Sequence, residues 1–480
     1  MPSAEAGTDG VAGATVICLD VGSTFTKALL VGLCGAEEGQ VLATAEHRTT
    51  VEGDVMDGVD ACLAQLAAAD PRARDAEVLA CSSAGGGLRI AVLGNEEFVT
   101  AEAGRRVALS SGGTVVAVVA AAGRSATDLE RHLRDAVAEA RPDVVLLTGG
   151  TDGGNAEVLL TATAALVAAG WRGPVVAAGN VDAAEQVGDL LAAGGVPHVL
   201  APNVVPRIGV LAPEGARAAV REVFLAHVIG GKHLSARPDF AALVRGATPD
   251  VVLTGVELLA GRAGDVVVVD VGGATTDVHS VVEIDPEDAT LARDVVAPTR
   301  VTRTVEGDLG MRWSAVSTLE AAGLDDDPVL LDAARQRRER PGLLPGDETD
   351  PEAAHAVEER LARAAVGLAL RRHAGRSRVV VSPEGRVVER TGRDLREVAL
   401  LVGSGGVLRH GRPGVRERVL RGALADDGGG WQLPEGGQVA VDDRYVLAAV
   451  GLLAGRHPGA ATRLADSLLA QAPAALSVEA

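Results

Sequence analysis

A short apolar run, Val16–Val21, ends in Gly22-Ser23-Thr24 and resumes as Lys27–Gly32. This pattern predicts a β-hairpin whose turn is rich in hydroxyls and amides. From Glu77 to Leu200 the rhythm changes, and apolar runs alternate with amphipathic stretches. Strands are predicted at Glu77–Cys81, Val115–Ala120, Val144–Thr148, Val175–Ala178 and His198–Leu200. Helices fall near Thr100–Leu109, Thr127–Ala140, Asn155–Ala169 and Val181–Ala193. Such alternation predicts a parallel sheet covered on both faces. The block reads as an α/β domain of its own, inserted after the first hairpin.

Beyond it, Glu214–Val228 reads as a helix and Phe240–Arg245 as a short helical piece. Asp265–Val271 is a second near-continuous apolar run, ending in Gly272-Gly273 and resuming at Val278–Ile284. Val329–Glu352 is charged and contains Pro341, which predicts a surface loop or helix pair, and Ala353–Arg372 is helical. Arg378–Val381 and Arg386–Val388 form a hairpin around Ser382-Pro383-Glu384-Gly385. A last strand, Glu397–Val402, enters Gly403-Ser404-Gly405-Gly406, and Tyr445–Gly455 closes the chain as a helix. Two hairpins of one form, about 250 positions apart, predict a duplicated architecture with one phosphate loop in each lobe.

The chemistry sits in those turns. In the first, the strand delivers Asp20 to its end, Gly22 lets the backbone turn, and consecutive amides with Ser23 and Thr24 form an anion nest. An aspartate beside phosphate requires an intervening cation, and Mg²⁺ held largely through waters suits it. Lys27 is placed to neutralise a β- or γ-phosphate. The second turn, Asp270-Val271-Gly272-Gly273-Ala274-Thr275-Thr276-Asp277, repeats the logic. Asp270 and Asp277 face it without a basic neighbour in the sequence, which predicts a metal or an oriented water. Gly403–Gly406, a turn without bulk, lets the backbone lie against a flat adenine and ribose. In the inserted block, Leu146–Asn155 puts amides and an acid where open α/β sheets bind ligands, and serves equally as a plain strand–helix turn.

Composition narrows the functional classes. The net charge of −20 repels nucleic acid and anionic lipid. The dense basic run Arg335–Arg340 lies beside Pro341 and acidic residues and reads as a solvated linker. Lysine occurs only at positions 27 and 232 in a chain with 45 basic residues, so Lys27 and Lys232 invite a specific role. Cys18, Cys34, Cys62 and Cys81 show no zinc spacing, and the first, third and fourth lie in apolar stretches as core residues do. The N-terminus lacks the order of a signal peptide, and no apolar run approaches the roughly 20 residues that cross a bilayer. A cytoplasmic setting, with no membrane and no nucleic-acid partner, is the expectation.

The order of phosphate loop one, phosphate loop two and glycine-rich adenosine loop resembles the actin/Hsp70/sugar-kinase ATPases. More closely, the chain resembles the MutL (GlmL) family associated with adenosylcobalamin-dependent glutamate mutase, unrelated to the DNA mismatch-repair protein of that name. The matching segments are Asp20–Lys27, Cys81–Arg89, Leu146–Asn155, Ala201–Gly209, Val268–Ser280, Thr304–Ala315 and Leu401–His410.

The resemblance implies an α/β, two-lobed actin-like ATPase fold (a duplicated ribonuclease H-like fold) with an inserted parallel α/β domain. The first lobe would take residues 14–75 and 201–255, the insertion 76–200 and the second lobe 256–470, with disordered tails at 1–13 and 471–480. By the same resemblance Asp20 and Asp270 would hold Mg²⁺. Gly22, Ser23, Thr24, Lys27, Gly272, Gly273 and Thr275 would line the phosphates of ATP, and Gly403, Ser404, Gly405 and Gly406 would take the adenosine. Glu306 would stand where the fold's first interlobe helix carries a water-positioning acid, and Asp270, Asp277 and Lys27 would complete the catalytic set. Ala448, Ala449, Gly451 and Ala454 would form the second interlobe helix. The implied activity is that of a weak Mg-dependent ATPase, reactivating an adenosylcobalamin-dependent mutase subunit. The alternatives are a small-molecule kinase of the same fold and a nucleotide-sensing scaffold without turnover. An activator of 2-hydroxyacyl-CoA dehydratases holds an iron–sulfur cluster on cysteines in its second half, whereas all four cysteines here precede residue 82.

Overall fold

The computed structural model describes residues 13–231, 234–237, 239–284, 299–382, 385–424 and 429–471. Nearly all of both expected tails, Lys232 and the Pro383-Glu384 turn lie outside these residues. The first lobe opens with the predicted hairpin, β1 (Thr15–Val21) and β2 (Phe25–Gly32), followed by β3 (Val41–Arg48) and helix α1 (Val55–Ala69). Asp54 caps α1 by accepting the Met56 amide at 2.9 Å. β1 reads as a continuous apolar run because both its faces are covered. Ile17, Leu19 and Val21 pack on the α1 side, and Val16 and Cys18 face the opposite core.

β4 (Glu77–Ser82), expected as the opening strand of the insertion, instead runs parallel to β1 in the first sheet. The inserted sheet begins with β5 (Leu88–Gly94), a strand the hydrophobic pattern did not separate from its glycine-rich approach. It continues through α2 (Glu102–Ser110), β6 (Gly113–Ala120), α3 (Ala126–Ala140), β7 (Val144–Leu147), α4 (Glu157–Ala168), β8 (Val175–Ala177), α5 (Ala184–Ala193) and β9 (His198–Leu200). The strands are all parallel, in the order β6-β5-β7-β8-β9. Helix α6 (Glu214–Val223) then leads back to the first lobe. Phe240–Arg245, expected to be helical, divides into a helical turn, Asp239–Leu243, and strand β10 (Val244–Ala247), which completes the sheet beside β4.

Helix α7 (Thr248–Ala263) crosses to the second lobe, so the boundary expected at 256 falls inside a helix. There β11 (Val266–Val271), β12 (Thr276–Val281) and β13 (Val301–Glu306) are followed by α8 (Ala315–Ala322), α9 (Pro328–Glu339) and α10 (Pro351–His373). The hairpin β14 (Arg376–Ser382) and β15 (Gly385–Thr391) forms a two-stranded sheet of its own. The chain finishes with β16 (Leu400–Ser404), α11 (Val415–Gly422), β17 (Gln438–Val441), α12 (Val446–Leu453) and α13 (Pro458–Leu469). The basic run at 335–340 is not a solvated linker: most of it lies on α9. Arg337 there is fully buried, donating to Glu348 at 2.8 Å and to the carbonyls of Ala333 and Ala354, each at 3.2 Å.

The two sheets have one topology. The first has the order β10-β4-β1-β2-β3 and the second β17-β16-β11-β12-β13, each with an antiparallel meander followed by two parallel strands. This duplicated, ribonuclease H-like arrangement makes the molecule a two-lobed actin-like fold with an inserted α/β unit. Helices α7 and α12 share a core with strands from both lobes. They cross closely at glycine: a Cβ on Gly451 would lie 1.9 Å from the Val251 carbonyl oxygen, and one on Gly255 would lie 2.3 Å from that of Leu447. No helix among the described residues is long and apolar enough to cross a membrane.

Candidate functional site

Each lobe ends its first strand in an aspartate and a tight turn. Gly22 donates its amide to the Phe25 carbonyl at 3.1 Å, and Gly272 donates to Thr275 at 2.9 Å. A Cβ would lie 2.7 Å from the carbonyl oxygen at Gly22 and 2.9 Å at Gly272, which is why both turns use glycine. Thr49 braces the first turn, its hydroxyl reaching Gly22 at 2.8 Å and its amide Thr24 at 2.9 Å. The Met311 and Arg312 amides brace the second, on Gly272 at 3.0 Å and Gly273 at 2.8 Å. Strand register pairs Asp20 with Lys27 and Asp270 with Asp277. Lys27 and Asp277 are thus equivalent positions with opposite charge.

Lys27 of the first turn reaches toward the second lobe. Lys27 Nζ lies 4.0 Å from Asp20 and 3.5 Å above the ring of Tyr445. Burial works against its charge, but Tyr445, Asp20, Asp270 and Glu46 together hold the ammonium above its usual pKa. Burial raises the Asp270 carboxyl, opposed by Lys27 and supported by Asp277; the Ser404 hydroxyl lowers it and Asp20 adds to the rise. Residues of both lobes therefore act on one carboxylate. Asp20 accepts the Thr248 hydroxyl at 2.7 Å, from the first residue of α7.

The glycine-rich turn after β16 lies against the second of these turns. Gly405 has φ +108°, and a Cβ there would stand 2.3 Å from the Val271 carbonyl oxygen. Gly406 opens a helical turn, Gly406–Arg409, and Arg409 lies 4.6 Å over the same Tyr445 ring while pairing with Glu46 at 3.1 Å. Gly403 is packed beneath Leu408 and Leu420, inside the strand.

Two expectations change. Asp277 has a basic neighbour after all: Arg303, 26 positions onward on β13, donates Nε to Asp277 Oδ1 at 2.9 Å and brings Nη2 to the same oxygen. Sequence adjacency did not reveal it because the neighbour comes from the adjacent strand. Glu306 lies at the end of β13 rather than on an interlobe helix, and it pairs with Arg372 at 2.7 Å. The interlobe helices are α7 and α12. The Leu146–Asn155 turn is pinned by its neighbours. Asp152 accepts from Asn203 at 2.8 Å and from the Val181 amide at 3.2 Å, and Asp182 accepts the Gly153 amide at 2.7 Å.

Thr248, Arg303, Tyr445 and Asp442 were not found from sequence. Tyr445 carried a signal, being the chain's sole tyrosine; it also holds φ +56°, rare for a side chain of its size. Asp442 is buried and caps α12, accepting the Val446 amide at 2.7 Å and that of Leu447 at 3.0 Å. Burial pushes its carboxyl up to about 6 against the pull of those two bonds.

Among the described residues no cluster of three or more His, Cys, Asp or Glu forms a ready metal cage. Asp20 and Asp270 suit Mg²⁺ nonetheless, since that ion takes one or two carboxylates and fills its octahedron with water and phosphate. A raised pKa on Asp270, produced by burial among other carboxylates, is what an added cation would relieve.

The sequence profile of the MutL protein family matches residues 16–469. Protein MutL of Clostridium tetanomorphum is 34% identical over 471 residues, spanning 94% of this chain and 98% of that protein. Among solved structures, nucleotide-free acetone carboxylase is similar at 15% identity and a TM-score of 0.41, covering 92% of this chain and 70% of the other. The nucleotide-free diol dehydratase-reactivating factor is similar at 12% identity and a TM-score of 0.36, covering 93% and 100%. On the extent of the family match and of the clostridial identity, the chain belongs to the MutL protein family.

Proposed function

We propose that the chain binds ATP between its lobes, hydrolyses it slowly with Mg²⁺, and uses the cycle to reactivate an adenosylcobalamin-dependent mutase such as glutamate mutase. The observation that carries the nucleotide reading is geometric: each lobe ends its first strand in an aspartate and a tight glycine turn, and Lys27 of the first lobe lies 3.5 Å over the ring of Tyr445 of the second. A phosphate chain entering there meets an amide-rich turn from each side and the Lys27 ammonium. Asp20 and Asp270 would hold Mg²⁺, which supplies charge neutralisation to the phosphates. Gly405 and Gly406 would take the adenosine, Gly403 being packed under Leu408 and Leu420 within the strand, and Ser404 would orient Asp270 through its hydroxyl. The mutase partner comes from the association of the MutL family with glutamate mutase. Lobes that close around a γ-phosphate and reopen after hydrolysis form a two-state element able to push on a partner.

The test separates binding from turnover. Calorimetry and phosphate release on wild type, Asp20→Ala and Asp270→Ala should show Mg-dependent binding and slow turnover in wild type, with turnover lost in both variants. Binding without turnover in wild type makes the chain a sensor rather than an ATPase. Turnover only with an added sugar or polyol makes it a kinase. Co-purification of a cobalamin-dependent subunit in an ATP-dependent manner tests the partner.

A further inference from the structure

We propose that Arg303 is a positioning residue that couples the second phosphate loop to the inserted domain, an inference that rests on the nucleotide reading above. Arg303 is 4% exposed on β13. Two of its nitrogens engage Asp277 Oδ1, and the third, Nη1, donates to the carbonyls of Leu109 at 3.1 Å and Gly113 at 3.0 Å. Those carbonyls bracket the turn between α2 and β6, so the guanidinium joins a second-lobe carboxylate directly to the backbone of the insertion. The other oxygen of Asp277 accepts the Thr275 hydroxyl at 3.1 Å. Thr275 belongs to the phosphate loop. One carboxylate therefore touches the loop with one oxygen and the insertion, through Arg303, with the other.

The same turn also meets the interlobe helix. Gly112 has φ +79°, and a Cβ there would lie 2.7 Å from the Asp250 amide in the first turn of α7. Asp250 is buried and held by Arg221 at 2.6 Å. The Thr248 hydroxyl, two residues earlier, bonds Asp20 of the first phosphate loop. The α2–β6 turn is thus wedged between elements that answer to both loops.

A guanidinium is a flat, rigid fork whose five donors keep fixed directions. When Asp277 shifts, Arg303 either carries the two carbonyls along or leaves buried donors unpaired, which is costly away from water. Movement of Thr275 and Asp277 on phosphate arrival is therefore transmitted to α2 and to edge strand β6, rather than absorbed by a flexible side chain.

Hydrogen exchange on the full chain, with and without Mg-ATP, tests this. In wild type, nucleotide should slow exchange in peptides covering 20–27 and 270–278 and alter it in 107–116. In Arg303→Met the response of 107–116 should vanish while the two loops still respond, and Arg303→Lys, which keeps charge without the fork, should restore it only in part. A response of 107–116 in Arg303→Met equal to wild type overturns the coupling. Loops that fail to respond in wild type sink the nucleotide reading instead. The coupling is then judged without nucleotide by Asp277→Asn, which should speed exchange in 107–116 about tenfold; unchanged exchange there overturns it. Should Arg303→Met fail to fold, Asp277→Asn decides the coupling in the same way.

Discussion

The two lobes carry one sheet topology but different interiors around the same turn. In the first lobe, Asp20 is paired across the hairpin with Lys27, and the position two residues along β2 is Leu29, buried among Val16, Val31 and Leu79. In the second, Asp270 is paired with Asp277, and the corresponding position is His279, also buried, opposite Arg303. His373 of α10 lies beneath, bonded to Ser280 at 2.8 Å and Thr304 at 2.9 Å. The first lobe thus supports its turn on apolar packing and places a cation at the surface of the gap. The second supports its turn on a buried polar spine that runs on into the insertion. The two lobes share the backbone device while their side chains differ, with a cation beside the gap in one and a buried polar spine in the other.

The sharpest way to break this comparison is to remove the two equivalent charges separately. Asp277→Ala leaves Arg303 buried without its partner, and breaking such a pair costs about 3–5 kcal/mol. Urea unfolding should show that loss. A cost under about 1 kcal/mol would make the second turn as lightly supported as the first. Lys27→Met removes a side chain with water on one side, so the fold should lose far less. Its effect should appear in ATP affinity, weaker by roughly thirtyfold, about 2 kcal/mol. Calorimetry showing equal affinity would remove Lys27 from the phosphate site.

Both turns were legible in the sequence because a strand buried on two faces reads as an unbroken apolar run, and the aspartate and glycine that follow interrupt it sharply. α7 was not, since a helix lying between two sheets is apolar around most of its circumference and shows little periodicity. β3 escaped for the opposite reason: Val41–Arg48 is mostly half-exposed, and its apolar residues gather toward its start instead of alternating. β4 is legible as a strand, but its place in the first sheet is not, because pairing partners are set by topology rather than by local pattern. Arg303 was beyond reach. Its carbonyl partner at Gly113 is 190 positions away, and nothing local marks an arginine on a strand as buried.

A milder test uses pH, and it should touch the second lobe alone. Burial, with Arg303 beside it, holds His279 at about 3, and burial, with Arg393 and His279, does the same for His373; both ordinarily titrate near 6.5. Below pH 6.5 the unfolded chain takes up protons that the folded chain refuses until about 3. The stability is therefore full above 6.5 and is lost as pH falls through that window. Each histidine costs about 1.4 kcal/mol per pH unit there. Asp442, raised to about 6, works in the other sense, since the folded protein gains a proton between 6 and 3.8 that the unfolded chain does not. Between pH 7.5 and 5.5 the net loss should be about 2 kcal/mol by urea unfolding. His373→Gln should roughly halve the histidine contribution, and an unaltered slope would mean that His373 titrates normally.

The smallest effect should come from Glu306, the terminal residue of β13. In the first lobe its counterpart, by pairing register, is His47, whose ring bonds the neighbouring Arg48 carbonyl at 2.7 Å. Neither residue lies on an interlobe helix, and Glu306 is held by Arg372, which also pairs with Asp308 at 2.7 Å. Arg372 keeps one carboxylate when Glu306 is neutralised, and it is partly exposed, so Glu306→Gln should cost under about 1 kcal/mol of stability. Turnover should fall by less than about threefold, far short of the loss when a water-orienting group is removed. A hundredfold loss of phosphate release with ATP affinity intact would return Glu306 to the chemistry, and would require β13 to swing its end toward the γ-phosphate when the lobes close.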